Sequence, residues 1–339
     1  MSNISHFEIK GGKLMSYRGP GGKVTIPSTV TSISEYAYFG GRKITEITIP
    51  GTVKSIPMQC FDKCKSIRSV TLMPGVTSIG RYAFNECTAL KKLVIPSTLT
   101  RISPYAFLNC SSIEEVHITD LKAWCEIDRN IEGHQSCLEP NNLYLNGELL
   151  RDVVIPDGVK EITPWTFANC TSIETVTVPD TTKIGYNAFY KCTNLCRCNI
   201  PLCQTELNSP FDHTAIESFE VHDGVTALIN SLFECKSLKT ASLGQGITTL
   251  PTAYFCGCES LKEIHITKSM QYIGSHPFIG CSSLEVIYYY GTVEEWKAIE
   301  KCPDWLKINY DNQTNGTQLK IVCTDGVIYT EKANGEQAD

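Results

Sequence analysis

Prolines 27, 50 and 96 each close a short alternating apolar run and fall on a 23-residue grid, with Met73 and Thr119 at the grid positions that lack proline. No other feature restricts this chain's fold as tightly. A fixed period of this length makes each unit one supersecondary element that must stack on its neighbours, because no unit can bury its apolar set alone. Val53, Ile56, Phe61, Cys64, Ile67, Val70 and Leu72 of one unit are matched by Val76, Ile79, Phe84, Cys87, Leu90, Leu93 and Ile95 of the next. The 339 residues therefore count repeats more than domains.

Within a unit, Leu90-x-x-Leu93-x-Ile95 alternates with period two and ends at Pro96, which predicts a short strand with Leu93 and Ile95 pointing inward. Proline is tolerated there because the strand stops. The segment from Gly80 to Cys87 places Ala83, Phe84 and Cys87 at helical spacing and predicts one or two helical turns on the outer side.

The chain has 17 cysteines, and eight of them, Cys64, Cys87, Cys110, Cys170, Cys192, Cys235, Cys258 and Cys281, take one equivalent slot in successive units. One thiol per repeat reads as buried core filling, because parallel Cβ vectors on stacked rungs are poor geometry for a disulfide. The group Cys192, Cys196, Cys198 and Cys203 lacks paired C-x-x-C spacing, so no metal site is expected there. No cofactor is expected either.

Around the repeats lie ends and an interruption. Gly11-Gly12 between alternating segments predicts a hairpin cap over 1–23, followed by a first repeat block at 24–118. The insert at 119–154 combines an Asp120-capped helix that buries Leu121, Trp124 and Ile127 with an Asn146-Gly147 hairpin. It reads as a decorated joint within one solenoid, the alternative being two solenoids with a flexible seam. A second block at 155–290 is less regular, and the unit containing Pro210-Phe211-Asp212-His213 lacks both the Ala-Phe pair and the ladder cysteine, which predicts local irregularity. A cap at 291–330 follows, with a Thr292/Glu295 capping box, Trp296 and an Asp325-Gly326 hairpin; the polar tail 331–339 is expected to fray.

The run Ile155-Pro156-x-x-Val159-x-x-Ile162, continued by Thr166-Phe167-x-x-Cys170-x-x-Ile173-x-x-Val176, resembles the BspA-like, treponemal-type leucine-rich repeats of oral and gut bacteria and some protists, over roughly 24–118 and 155–290. The resemblance implies an α/β solenoid: a leucine-rich-repeat right-handed superhelix with a parallel concave β-sheet, short helical turns outside, and hairpin and Trp-helix caps. It also implies a non-enzymatic protein-binding scaffold that serves adhesion or host interaction at a cell surface. Its partner would be a host or matrix protein, or a glycan.

Strand alternation names the candidate contact residues. The slot between two inward residues holds Thr25, Thr48, Thr71, Val94, His117, Thr177, Asn199, Glu220, Ser242, His265 and Tyr288. A second row two residues earlier includes Glu115, Glu263 and Val286. Glu115 with His117 and Glu263 with His265 could each orient a general base, but no nucleophile, oxyanion donor or pocket accompanies them, so an enzyme or glycan-processing module is the weakest reading. Alternation would expose Tyr288 and Tyr290, which suits a protein or glycan contact, but packing under the Trp296 helix is the favoured expectation for them.

A net charge of -6 lacks the basic excess that phosphate-backbone binding needs, which excludes nucleic acid as a natural partner. No apolar run is long enough to span a bilayer, and the first 20 residues carry no signal-like apolar core. The chain as written would stay in the cytoplasm and act as an intracellular interaction scaffold, whereas the resemblance favours secretion or the cell surface. Sequons at Asn3, Asn109, Asn169, Asn312 and Asn315 are expected to serve as turn residues where they precede ladder cysteines. A monomer is expected.

Overall fold

A computed structural model describes residues 4–35, 37, 43–129, 138, 141–308 and 319–330. The tail at 331–339 and the sequons at Asn3, Asn312 and Asn315 lie outside the described residues. Two compact units are formed, Met1–Arg151 with Glu161–Ser172, and Asp152–Lys160 with Ile173–Asp339.

In the first unit the grid becomes a parallel ladder. Strands Gly22–Thr25, Ile44–Ile49, Ser69–Leu72, Lys92–Ile95, Glu115–Ile118 and Asn142–Leu145 pair in sequence order, and Glu148–Leu149 closes the sheet antiparallel. Leu93 and Ile95 are buried while Val94 between them is half-buried, as alternation requires. Where Met73 takes the proline slot, its N–H is available and donates to the Ile49 carbonyl at 2.9 Å. A second, narrower ladder stacks Ser55–Ile56, Ser78–Ile79 and Arg101–Ile102. The N-terminal hairpin pairs Phe7–Lys10 with Lys13–Tyr17 antiparallel, and Lys13 and Leu14 pair in parallel with Ser32 and Ile33.

The outer segments are not helical, contrary to the expectation from spacing. Among the described residues the α-helices are Leu121–Cys125 and Val293–Ala298. Each outer segment is a run of turns with left-handed residues four apart, at Tyr82 and Glu86 (φ 56° and 53°) and at Tyr105 and Asn109 (59° and 60°). Successive N–H groups then alternate in direction. Ala83 and Cys87 donate within their own turns to Gly80 and Phe84, whereas Phe84 and Glu86 donate across to Ala106 and Leu108 of the next coil, both at 2.8 Å. An α-helix would turn every donor inward along its own axis and forfeit those cross-coil bonds. Helical spacing of Ala83, Phe84 and Cys87 survives only as a burial pattern: all three are fully buried, and Phe61, Phe84 and Phe107 stack at 5.0 and 5.3 Å. Asn169, like Asn109, holds a left-handed turn position (φ 60°).

The second unit runs Asp152–Val154, Thr175–Thr177 and Arg197–Cys198 as one parallel sheet, then breaks. A separate sheet begins at Ser218–Glu220 and continues through Thr240–Ser242, Glu263–Ile266, Val286–Tyr289 and Lys320–Val322 to the antiparallel Val327–Tyr329. The break falls beside the unit expected to be irregular, and in the coils that lead up to it side-chain amides take over backbone rungs. Asn199 accepts from the Val178 N–H and donates to the Val178 carbonyl, both at 2.8 Å. Gln204 does the same with Ile184, at 2.9 and 3.2 Å. Each amide stands in for one backbone rung.

Sixteen described cysteines are free thiols, and seven of the eight ladder cysteines are buried, Cys110 being partly exposed. They are more than filler. Sulfurs of Cys87, Cys110, Cys235, Cys258 and Cys281 lie 3.0 to 3.3 Å from carbonyl oxygens of Phe61, Phe84, Phe211, Leu232 and Phe255 in the preceding coil. A hydroxyl ladder runs beside them: Thr52, Thr98, Thr182 and Ser269 donate to the Val30, Val76, Val159 and Ile247 carbonyls. In the irregular unit Phe211 still joins the ring stack on Phe189, and Thr214 fills the cysteine slot, donating to the Phe211 carbonyl at 2.7 Å.

Candidate functional site

The outward row of the first unit is set rung by rung by the register. Thr25 pairs with Thr48, Thr48 with Thr71, Thr71 with Val94, Val94 with His117, and His117 with Tyr144. In the second unit Val154 pairs with Thr177, and beyond the break Glu220, Ser242, His265, Tyr288 and Val322 stand in register. Inward neighbours such as Val70, Val116 and Ile264 are fully buried, which fixes the direction of each outward side chain.

The repeat grid does not reach Tyr144 and Val322, and the structure adds both to the rows. A signal was available: Asn142-Leu143-Tyr144-Leu145 alternates as Glu115-Val116-His117-Ile118 does. Asn199, a predicted contact residue, instead commits its amide to Val178 of the preceding coil. Val286, in the second row, is buried, with the long side chains of Glu263 and Lys320 as its register neighbours.

Both rows carry the same motif. His117 stacks on Tyr144 with ring centroids 4.5 Å apart and planes 7° from parallel, and His265 stacks on Tyr288 at 4.8 Å and 16°. Rings on neighbouring parallel strands at this spacing face one another, so their edges and polar tips point to solvent. The rows therefore present imidazole nitrogens, tyrosine hydroxyls and carboxylates, with little open aromatic face.

The two histidines are anchored differently. His117 Nε2 lies 2.9 Å from Glu115 Oε2, which also meets Lys92 Nζ at 3.2 Å. The hydrogen bond with His117 and then the Lys92 ammonium hold the Glu115 carboxyl below its ordinary range. His265 Nδ1 lies 2.7 Å from the Tyr290 hydroxyl, with Nε2 3.9 Å from Glu263 Oε2. Tyr290 is therefore exposed and turned to His265, while Tyr289 is the ring that packs on Trp296, at 5.3 Å. That corrects the placing of Tyr288 and Tyr290 under the tryptophan helix: alternation puts only Tyr289 on the inward side.

Ion pairs along the faces, such as Lys23 with Glu46 and Lys239 with Glu217, are exposed and contribute little to stability, about 0 to 1 kcal/mol each. Among the described residues no group of three or more His, Cys, Asp or Glu side chains is arranged to hold a metal ion. Cys196 and Cys198 donate separately, to the Glu174 and Asn199 carbonyls. No helix among the described residues is long and apolar enough to cross a membrane.

Comparison with known proteins agrees with this architecture. A crystal structure of a leucine-rich repeat protein from Bacteroides ovatus superposes with a TM-score of 0.56 at 22% identity, covering 93% of this chain and 97% of that one. A leucine rich cell surface protein from Faecalibacterium prausnitzii aligns at 22% identity over 87% and 95% of the two chains, with a TM-score of 0.41. The pneumococcal vaccine antigen PcpA aligns at 16% identity over 84% and 79%, with a TM-score of 0.47. No curated protein matches the sequence significantly. The BspA type leucine rich repeat region matches in six copies, over residues 20–129, 140–209 and 207–302. With coils, ladders and repeat pattern in agreement over most of its length, the chain belongs to the BspA-type leucine-rich repeat family.

Proposed function

We propose that this protein is a non-enzymatic scaffold that binds another protein through the outward faces of its parallel sheets, and that it serves adhesion or host interaction at a cell surface. The observation that carries the reading is the in-register row Thr48, Thr71, Val94, His117 and Tyr144, held on strands whose inward residues are fully buried. Such a row presents hydrogen-bonding groups on a backbone that needs no reorganisation on binding, which lowers the entropic cost of association. Membership of a repeat family that is generally non-enzymatic supports the same reading.

A second reading, an interaction scaffold inside the cell, is favoured by one observation. All sixteen described cysteines are free thiols, a state that reducing compartments maintain.

The test is a binding assay against a panel of purified extracellular-matrix proteins and, separately, cell lysate. Wild type is compared with Thr71→Arg, His117→Arg, Thr177→Arg and His265→Arg. Binding that falls with these changes supports use of the faces; binding that ignores all four removes the reading. Capture from lysate with none from the matrix panel favours the intracellular reading.

A further inference from the structure

The chain carries one structural device twice. In the first unit, Asp120 caps a helix bearing Trp124, and Arg129 lies five residues further on. Its guanidinium sits 4.4 Å over the Trp124 ring and donates to the carbonyls of Trp124 and Ile127, at 3.1 and 3.2 Å. In the second unit, Thr292 caps a helix bearing Trp296, and Lys301 lies five residues further on. Its ammonium sits 4.9 Å over the Trp296 ring and donates to the carbonyls of Trp296 and Ile299, at 2.6 and 2.8 Å. Trp124 matches Trp296, Ile127 matches Ile299, Arg129 matches Lys301, and Cys125 matches Lys297.

What covers the two copies differs. In the first unit a coil segment is seated on the device. Thr163 donates its N–H and its hydroxyl to the Cys125 carbonyl, and the hydroxyls of Thr163 and Thr166 accept from Arg129 at 2.8 and 3.0 Å. In the second unit three of the matching residues, Trp296, Lys297 and Lys301, line a cleft of about 450 Å³, whose walls also include Trp305, Ile321 and Ile328. That volume lies within the range of ligand sites. Lys301 is partly desolvated there, which lowers its pKa from the ordinary lysine value, and an ammonium has three donors of which the two carbonyls take two.

We infer that this cleft is a docking site for a coil-like polypeptide segment of a partner protein, one that offers a hydroxyl oxygen to the remaining Lys301 donor and an apolar side chain to the Trp305 wall. The occupant is argued from the first unit, where the same surface is filled by Thr163 and Thr166. The inference does not rest on the outward sheet faces, and the variants that test it lie away from them.

The probe is a fluorescein-labelled peptide spanning Glu161–Ser172, with Cys170→Ser, titrated by anisotropy with the intact 339-residue protein. Saturable binding is expected, weakened about tenfold or more by Lys301→Met in the protein and equally by Thr163→Val with Thr166→Val in the peptide. Lys301→Arg is expected to retain or tighten binding, since arginine holds this position in the first unit. Because the peptide change is read on unaltered protein, the result stands even if Lys301→Met fails to fold. No saturation below about 1 mM overturns the inference, and so does affinity indifferent to the threonine hydroxyls.

Discussion

The sulfur of Cys87 lies 3.2 Å from the carbonyl oxygen of Phe61, which stands three residues before Cys64, the counterpart of Cys87 in the preceding coil. The same carbonyl accepts from the Cys64 N–H, so the thiol ties each coil to an oxygen already used to close the previous turn. Thr214, in the slot of a missing cysteine, donates instead to the Phe211 carbonyl of its own turn. Val and Thr have nearly the same shape, so the pair separates packing from hydrogen bonding. Cys87→Thr should cost less than Cys87→Val by about 1 kcal/mol, read from urea unfolding midpoints at equal m-value. Equal costs would show that the thiol acts only as filler.

Two glycines are restricted for different reasons. A Cβ on Gly51 would collide with the backbone carbonyl of Pro74 in the next coil, and backbone cannot swing aside. Gly147 has φ +92° at the tip of the Asn146 hairpin, with nothing within 4 Å of its would-be Cβ. Gly51→Ala should therefore destabilise by roughly 2–3 kcal/mol or more, as overpacking does, and Gly147→Ala by about 1 kcal/mol from backbone conformation alone. Thermal melts of the two variants should rank in that order.

Much of this fold is legible in the sequence because burial in a solenoid is periodic. Pro50 and Pro96 end strands where expected, Phe61, Phe84 and Phe107 stack, and Asn146-Gly147 makes the hairpin its dipeptide encodes. The turn conformation was not legible. Ala83, Phe84 and Cys87 have a spacing that a helix and a stacked turn share, and what chooses between them is the set of cross-coil bonds from Phe84 and Glu86, which exist only once the next coil is present. The left-handed positions fall on Tyr82 and Glu86, where neither glycine nor asparagine marks them. For the candidate site, alternation reads which side chains point outward, but it cannot tell that Asn199 will spend its amide on Val178 or that Tyr144 will extend the row.

Arg129 is 3% exposed and holds Thr163, Thr166 and the carbonyls of Trp124 and Ile127 in one network. Removing the guanidinium leaves several buried acceptors unsatisfied, each a desolvation cost of about 1–3 kcal/mol before relaxation. Arg129→Met should destabilise by roughly 3–5 kcal/mol. Combined with Thr166→Val, its effect should fall well short of the sum of the two, because both changes break one network. Additive costs in a double-mutant cycle would mean that the two residues are independent.

Asp212 gives the protein a pH dependence opposite to that of a salt-bridged carboxylate. Burial raises its pKa to about 7, against the opposing hydrogen bonds from the Phe233 N–H and the Ser231 hydroxyl. Its surroundings include Tyr186 and Tyr254, both influenced by its charge, and the adjacent His213, which faces Glu234 at 3.5 Å. A raised acid pKa means that the folded state holds a proton the unfolded chain has already released. The contribution is then fully present below the unfolded value of 3.8 and is lost as pH rises through about 7. Asp212→Asn keeps an oxygen for Phe233 without a charge to desolvate. It should raise stability at pH 8 by about 2–4 kcal/mol at most, and the gain should shrink steadily toward pH 5. Melting temperatures of both proteins across that range check the sign: a gain that stays constant with pH would show that Asp212 is ordinarily ionised in the folded protein.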